Sequence, residues 1–475
     1  MTVLGLAALT VLLIFGFLQA PQDSNGARPV LSTFNVVLLG IFLYILLPAV
    51  LILNAGTYTW AVDYYSGEVF EKTVWLSTLG VGAFVYGNLF SRRRAEVSEA
   101  ELDSHGGGAG LTSSTRSSTS LVMFGLLAGG LALKLVLILD TGGFAESVTR
   151  LSDGVRQFSG VESLDSGAIL LVTMSGIADG AATWGALRAL RERRLERVWL
   201  SVLLITLGLT YLLTGKRLVI LLPVMVVLVG FHVYRRPLTT RVLPIAIPIA
   251  IVLGFLTLSA RVFLPAAIAG YNMDLNNIAY AEGSVLQFYL YSLEFASVEM
   301  ISVAMEARPD ILEMFGGAWT AMITTNFESF LYSVPRAVWP GKPTVFYDLS
   351  HGITAALGAT PFEDPTVGYA STLIGTSFIM GGVIGTLVAM LLLGILTARF
   401  DRRLQRSSWS DGSIVLYALA LVVVFHLFRQ GTLGWTFIVS IVQNYGVLLA
   451  LLVLCILAKE KRSSLLPRAN TSVKK

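Results

Sequence analysis

Long apolar runs follow one another along most of this chain, and no other feature constrains the fold as strongly. Many are roughly 18 or more residues, enough to cross a hydrocarbon core about 30 Å thick. The runs lie near 2–20, 34–54, 73–91, 120–139, 167–187, 198–213, 218–234, 242–260, 370–398, 413–429 and 433–458. They predict an all-α polytopic membrane protein with about 11 (10–13) transmembrane helices. A barrel would show short alternating strands instead. Charge agrees: only 13% of the 475 residues are Asp, Glu, Lys or Arg, against about 25% in soluble proteins. The first twenty residues lack a basic leading region and a cleavage site, so they read as a first span and not a removed signal peptide. Residues 1–475 read as a single membrane domain with no internal repeat and no similarity between halves. The one cysteine, Cys455, forms no intrachain disulfide and leaves the redox compartment open.

The cations set an orientation. Arg92, Arg93 and Arg94 follow the third run, "RALRERRLER" (188–197) the fifth and "YRRPLTTR" (234–241) the seventh. "RFDRRLQR" (399–406) follows the ninth, and "KEKR" (459–462) the last. With this count all five fall on one side, which the positive-inside rule places in the cytoplasm. The first loop is marked only by Arg28. The net charge of +4 therefore reflects topology and not a nucleic-acid surface.

Two connections break the rhythm. Residues 95–119 are polar and rich in Gly, Ser and Thr; they read as a disordered cytoplasmic loop. Residues 261–369 form a large extracytoplasmic loop rich in Phe, Tyr, Trp, Leu and Met, a composition wrong for disorder, and a loop this long is usually functional. Within it, 285–305 reads as a helix. Glu294 and Glu299 lie inside it, and a charge at the bilayer centre costs about 2.5–3.5 kcal/mol. That helix is expected at the interface or packed inside the protein. The stretch 316–334, which holds Glu328, is expected to be half-embedded.

Extracytoplasmic cations near the membrane run against the positive-inside bias. They are Lys216 and Arg217 in "LLTGKRLVILLP", Arg261, Arg336, Lys342 and Arg429. All fall at about one depth on one face and can converge on one site. Guanidinium forks match phosphate oxygens in a bidentate way and lysine adds a point charge, so a lipid pyrophosphate fits. Snorkelling to headgroups fits Lys216 and Arg217 as well, and anchoring fits Arg261 and Arg429. In "PRAVWPGKP", Pro335, Pro340 and Pro343 restrict the backbone and Trp339 suits the interface, so Arg336 and Lys342 are pre-positioned there.

Glu328, Asp348, Glu363 and Asp364 lie on the same side, and any of them could serve as general base for a sugar hydroxyl. "FEDP" (362–365) also reads as a turn, and Glu328 could pair with Arg336. Tyr347 and His351 stand in "YDLSHG" beside the substrate loop, although a lone loop histidine is more often structural. His426, three residues before Arg429, reads as a satisfied membrane histidine. Lys134 is the clearest charge within a span. The loop "TGGFAESVTRLSDG", flanked by Asp140 and Asp153, could cover the site. No HExxH, CxxC, Walker A, GxSxG or GxGxxG-plus-acid arrangement is present, and no metal-ligand cluster shows in the loop.

Several of these motifs together resemble a family. "GKRLVILLP", "SVPRAVWPGKP" and the glycine-punctuated "GYASTLIGTSFIMGGVIG" (368–385) are similar, in order, to motifs of the bacterial oligosaccharide repeat-unit polymerases, the O-antigen polymerase (Wzy-type) group. "GARPVLSTFNVVLLGIFLYILLP" and the "GGF…RLSDG" loop add to the resemblance. It implies a glycosyltransferase class C-like fold and an exopolysaccharide or O-antigen polymerase in the bacterial inner membrane, active on its extracytoplasmic side. Donor and acceptor would be undecaprenyl-pyrophosphate-linked oligosaccharides, a chain-length regulator would be a partner, and no cofactor or nucleic acid would be needed. Family members often carry an acid where this chain has Thr376, which moves the expected base to Glu328 or Glu363. An O-antigen-ligase-type transferase and a lipid-linked glycan transporter or flippase remain as alternatives.

Overall fold

A computed structural model describes residues 1–20, 29–55, 67–99, 118–140, 142–144, 166–214, 218–239, 242, 297–328, 339, 347–358, 362, 368–405, 409–436 and 445–454. Among the described residues there are helices and no strands. The helices are α1 (Thr2–Leu18), α2 (Thr33–Ile41), α3 (Leu47–Ala55), α4 (Gly67–Glu99), α5 (Ser118–Asp140), α6 (Ser166–Glu192), α7 (Glu196–Thr214) and α8 (Leu218–Tyr234). Then come α9 (Ser297–Glu306), α10 (Arg308–Met314), α11 (Ala318–Ile323), α12 (Leu349–Ala356), α13 (Thr372–Asp401), α14 (Asp411–Gln430) and α15 (Leu433–Trp435). A last helix, α16, is Tyr445–Leu454. Six stretches are long and apolar enough to cross a membrane: Thr33–Leu53, Gly67–Arg93, Val122–Asp140, Glu196–Leu213, Thr372–Asp401 and Asp411–Gln430. This is the build of a polytopic helical membrane protein. The expected span 242–260 lies outside the described residues, apart from Val242. In the expected span 433–458, α15 and α16 are separated by residues that also lie outside them.

Four of the five basic clusters gather at one end of the bundle. Arg92 donates to the Gln19 carbonyl at 2.6 Å and stands 5.1 Å over the Phe34 ring, joining the end of α4 to the end of α1 and the start of α2. Arg191 pairs with Asp411 at 3.0 Å, and the Tyr234 hydroxyl donates to Asp411 at 2.6 Å. These contacts join the ends of α6 and α8 to the start of α14. Arg235 pairs with Glu196 at the start of α7, and Arg403 donates to the Ser413 hydroxyl. The fifth cluster, 459–462, lies outside the described residues.

Asp401, the lone acid in "RFDRRLQR", ties this basic end together. Its carboxylate accepts from the Thr33 amide at 2.7 Å, the Thr33 hydroxyl at 2.7 Å, the Phe34 amide at 3.1 Å and the Tyr417 hydroxyl at 2.9 Å. The first turn of a helix leaves amides unpaired and carries partial positive charge. Asp401 supplies both partner and countercharge to α2, while Ser32 caps the Asn35 amide at 3.0 Å. One buried carboxylate thus connects α2, α13 and α14.

Close backbone contact holds the centre. A side chain at Gly87 or Gly394 would collide with the facing helix, α13 or α4 respectively, and Asn88 donates to the Thr397 hydroxyl at 2.9 Å across the same contact. Small residues let membrane helices approach closely, and polar side chains then bond across the seam. A second seam is ionic. Lys134 on α5 is fully buried, 3.1 Å from Asp179 on α6 and 2.6 Å from the Thr210 hydroxyl on α7. The apolar reading of the fifth run overlooked Asp179 as a mid-helix acid.

The large loop is structured where it is described. α9 packs inside the protein against α4 and α13 and not on its surface: Val298 and Ile301 join one apolar cluster with Leu373 and Ile374. The Thr73 and Ser302 hydroxyls meet at 2.9 Å. α9 to α12 share a core of their own, including Val303, Ile311, Phe315 and Ile353, seated on Ile379.

Replacing Asp401 by Ala leaves the Thr33 and Phe34 amides buried without their acceptor. We expect a loss of about 3 kcal/mol or more, read as a lower thermal midpoint of the detergent-solubilised protein. Tyr417→Phe, which removes one donor, should cost about 1 kcal/mol.

Candidate functional site

The segment 370–398 is expected to be a single span, but it does not run straight. Gly382 has φ 60° and ψ −152° inside α13, a conformation open essentially to glycine alone. The chain folds back there. In a straight helix Ile374 and Thr386 would be about 18 Å apart; here the Thr386 hydroxyl donates to the Ile374 carbonyl at 3.2 Å. A Cβ at Gly385 would lie 2.6 Å from the Ser377 carbonyl oxygen. α13 is therefore two limbs: a re-entrant arm, 372–381, packed against a crossing limb, 383–401. The glycine-rich motif 368–385 encodes this hairpin. Ile374 faces Gly80, well inside the candidate span Gly67–Arg93. Irregular backbone at that depth is tolerated only where protein or a cavity surrounds it.

Protein groups fasten both ends of the arm. At its outer end Arg308, from the start of α10, donates to the carbonyls of Phe378 at 3.2 Å and Ile379 at 2.9 Å. A cation there also complements the negative end of the helix dipole. At the inner end the Thr376 hydroxyl lies 3.0 Å from the Gly431 carbonyl. Gly431 ends α14 with φ 78°, and a side chain on it would collide with Thr376. Thr376, where the family resemblance leads one to expect an acid, is thus a buried tie between arm and α14. Thr372, the first residue of the arm, has φ 61°. For a β-branched residue this is strained, by of order 1–3 kcal/mol.

Arg429 is the one predicted pyrophosphate cation within the described residues. It stands two residues before Gly431, and its guanidinium lies 5.7 Å over the Tyr44 ring. Tyr44 belongs to a π-helical segment, Phe42–Leu46, between α2 and α3. Such bulges occur often at functional sites. This one turns Tyr44 toward α14, where Phe425 meets it at 6.2 Å between centroids. A second π-helical segment, Thr324–Glu328, follows α11. Its Asn326 accepts from the Leu433 amide at 3.0 Å, locking it to the chain just past Arg429. Arm, Arg429 and both π segments thus share one region.

The remaining predicted residues divide. Lys216, Arg217, Arg261, Arg336, Lys342, Glu363 and Asp364 lie outside the described residues. Glu328 is exposed at the end of its π segment. Trp319, Ile323 and Phe327 are exposed at four-residue spacing nearby. Trp339 is partly exposed. Tyr347 stacks on Phe362 at 4.7 Å between centroids, and Phe362 in turn meets Phe315.

His351 is engaged locally: its Nδ1 accepts from the Asp348 amide at 3.1 Å, and the Asp348 carboxylate caps the Ser350 and His351 amides. This capping box starts α12. Burial raises the pKa of the Tyr369 phenol, just outside the arm. His426 is buried, and neither ring nitrogen has a hydrogen-bond partner among the described residues. Sequence reading missed Arg308, Tyr44 and the arm itself. A Gly-Gly pair inside an apolar run was the available signal.

No three or more His, Cys, Asp or Glu side chains among the described residues group so as to hold a metal ion. Comparison with protein-family models, curated proteins and solved structures finds no match.

Gly382→Ala forces a side chain into a glycine-only conformation. We expect about 1–3 kcal/mol of destabilisation in thermal unfolding, with α13 still inserted in the membrane.

Proposed function

We propose that the protein polymerises lipid-linked oligosaccharide repeat units by glycosyl transfer at the extracytoplasmic face of a bacterial inner membrane. The observation that carries this reading is the placement of Arg429, held over Tyr44 beside a re-entrant arm. The ordered motifs shared with the repeat-unit polymerases support it. With the basic end in the cytoplasm, the arm, Arg429 and the packed loop helices face outward.

In the proposed reaction an acceptor sugar hydroxyl attacks the anomeric carbon of the donor glycan. The bond from that carbon to the undecaprenyl pyrophosphate oxygen breaks, and its electron pair leaves on the pyrophosphate. The hydroxyl proton passes to a base, for which Glu328 and Glu363 are the candidates. Arg429, with Lys216, Arg217, Arg261, Arg336 and Lys342, would stabilise charge as it develops on the leaving group. Pyrophosphate is already a good leaving group, so this chemistry does not require a metal.

A second reading, a lipid-linked glycan transporter, draws on the buried Lys134–Asp179 pair, because ionisable groups inside a membrane often mark transport paths.

Gene deletion with surface-glycan profiling separates the readings. Loss of long chains with single repeat units retained supports the polymerase. Loss of all surface glycan points to a ligase or a flippase. Arg336→Ala, Arg217→Ala and Arg429→Ala should each abolish long chains while the protein inserts and accumulates normally. Wild-type chain lengths in all three would overturn the pyrophosphate role.

A further inference from the structure

Residues 318–328, α11 and the π-helical segment after it, turn their polar side inward and their apolar side outward. Ala321, Thr325 and Asn326 are buried. The Asn326 amide group donates to the Met322 carbonyl at 3.0 Å and to the Met380 sulfur at 3.7 Å; its oxygen accepts from the Leu433 amide at 3.0 Å. The other side carries Trp319 at 76% exposure, Ile323 at 45% and Phe327 at 59%. Positions four apart share a helix face, so these three form one stripe. A helix in water buries its large apolar side chains and exposes its polar ones. The reverse arrangement calls for an apolar neighbour.

Two helix lengths set the level of the stripe. From the basic end, the crossing limb 383–401 rises about 28 Å, and α14, with 20 residues, rises about 30 Å. Both match a hydrocarbon core about 30 Å thick. Asn326 is tied to the far end of each, through Met380 beside the Gly382 bend and through Leu433 just past α14. The stripe therefore stands at the hydrocarbon boundary opposite the basic end. The adjoining surface is apolar as well. Ile384 and Leu392 are exposed along the crossing limb with Val388 between them, and Leu433 is exposed beside Asn326. Thr320 and Glu328 are exposed next to the stripe. A carboxylate at the bilayer centre is costly, so the boundary is the deepest level this segment can take. Tryptophan is enriched at that boundary, and helices with one strongly apolar face lie in its plane.

We propose that residues 318–328 are an interfacial foot: Trp319, Ile323 and Phe327 enter the lipid leaflet opposite the basic end, and Asn326 fastens the foot to the arm and to the end of α14. The partner is the lipid of the bilayer itself. This does not depend on the polymerase reading. Where that reading holds, the foot also sets the core of the loop helices at the depth of a lipid-linked headgroup.

The test uses the full-length protein in phosphatidylcholine vesicles. Nitroxide labels are introduced through Ile323→Cys and Phe327→Cys in a Cys455→Ala background. Glu313→Cys, at an exposed position of α10, is the aqueous control. Power saturation reads collisions with oxygen, which concentrates in lipid, and with nickel-EDDA, which stays in water. In a second measurement, free of cysteine substitutions, Trp319→Phe identifies the emission of Trp319, and lipids brominated near the headgroup compete with aqueous acrylamide to quench it.

We expect the oxygen-to-nickel ratio of the two stripe labels to exceed the control severalfold, and the bromolipids to quench Trp319 while acrylamide does not. Nickel collisions as frequent as at the control, or quenching by acrylamide alone, overturn the foot. Labels shielded from both reagents overturn it too, and shielding relieved by dilution with lipid assigns the stripe to a second copy of the chain. Oxygen collisions that vanish on adding farnesyl pyrophosphate assign it to the substrate's own chain and overturn the bilayer as partner.

Discussion

A backbone that turns back on itself inside an apolar bundle must find protein partners for the groups it frees, and this requirement organises the structure around α13. The hydrocarbon interior offers no water to satisfy an amide or a carbonyl. The fold at Gly382 is accordingly surrounded. Thr386 reaches the Ile374 carbonyl, Arg308 reaches Phe378 and Ile379, and Thr376 reaches Gly431. Each partner comes from a different part of the chain: the crossing limb, the large loop and the end of α14. The arm exists only because the loop helices and α14 are in place, and they are in turn positioned by it. α9 packs on the arm through Ile301 and Gly375, and the core of the loop helices ends on Ile379.

The two ends of the bundle use charge in different ways. At the basic end cations are paired or stacked: Arg191 with Asp411, Arg235 with Glu196, Arg403 over Trp409. Their role there is to join helix ends, and Asp401 does the same with the opposite sign. At the other end Arg308 is spent on backbone carbonyls, and Arg429 rests on an aromatic face. A guanidinium on an aromatic ring keeps most of its hydrogen-bonding edge unused. That difference is why Arg429 is the described cation chosen for the proposed pyrophosphate contact. The Lys134–Asp179–Thr210 cluster belongs to neither end. It is satisfied within itself, and a buried pair of this kind is weak evidence for stability and better evidence for a fixed helix register.

Much of the helical layout was legible from hydropathy, because a span must be apolar over a fixed length. The shared side of the basic clusters was legible too. Reading failed where composition hides geometry. The run 370–398 has the hydropathy of one long span, yet a single glycine torsion makes it two limbs. Asp179 sits in a helix with enough apolar neighbours to mask it, and its partner lies 45 residues earlier on α5. For His351 the structural reading is the more frequent one for a lone loop histidine, and its Nδ1 closes a cap with the residue three positions before it.

Sequence by itself determined that this chain has the build of a helical membrane protein, that the four described basic clusters share one end, and that the segment after 296 has the apolar content to pack. These follow from length, hydropathy and charge, which act locally or through the bilayer. Tertiary structure alone decided that the glycine-rich motif folds into a re-entrant arm, that Thr376 is a tie, and that Arg308 holds the far end of that arm. Those outcomes depend on contacts between residues more than fifty positions apart, such as Thr376 with Gly431 and Arg308 with Phe378. No local pattern carries the energy of such contacts, because they form only once the surrounding helices have excluded both lipid and water.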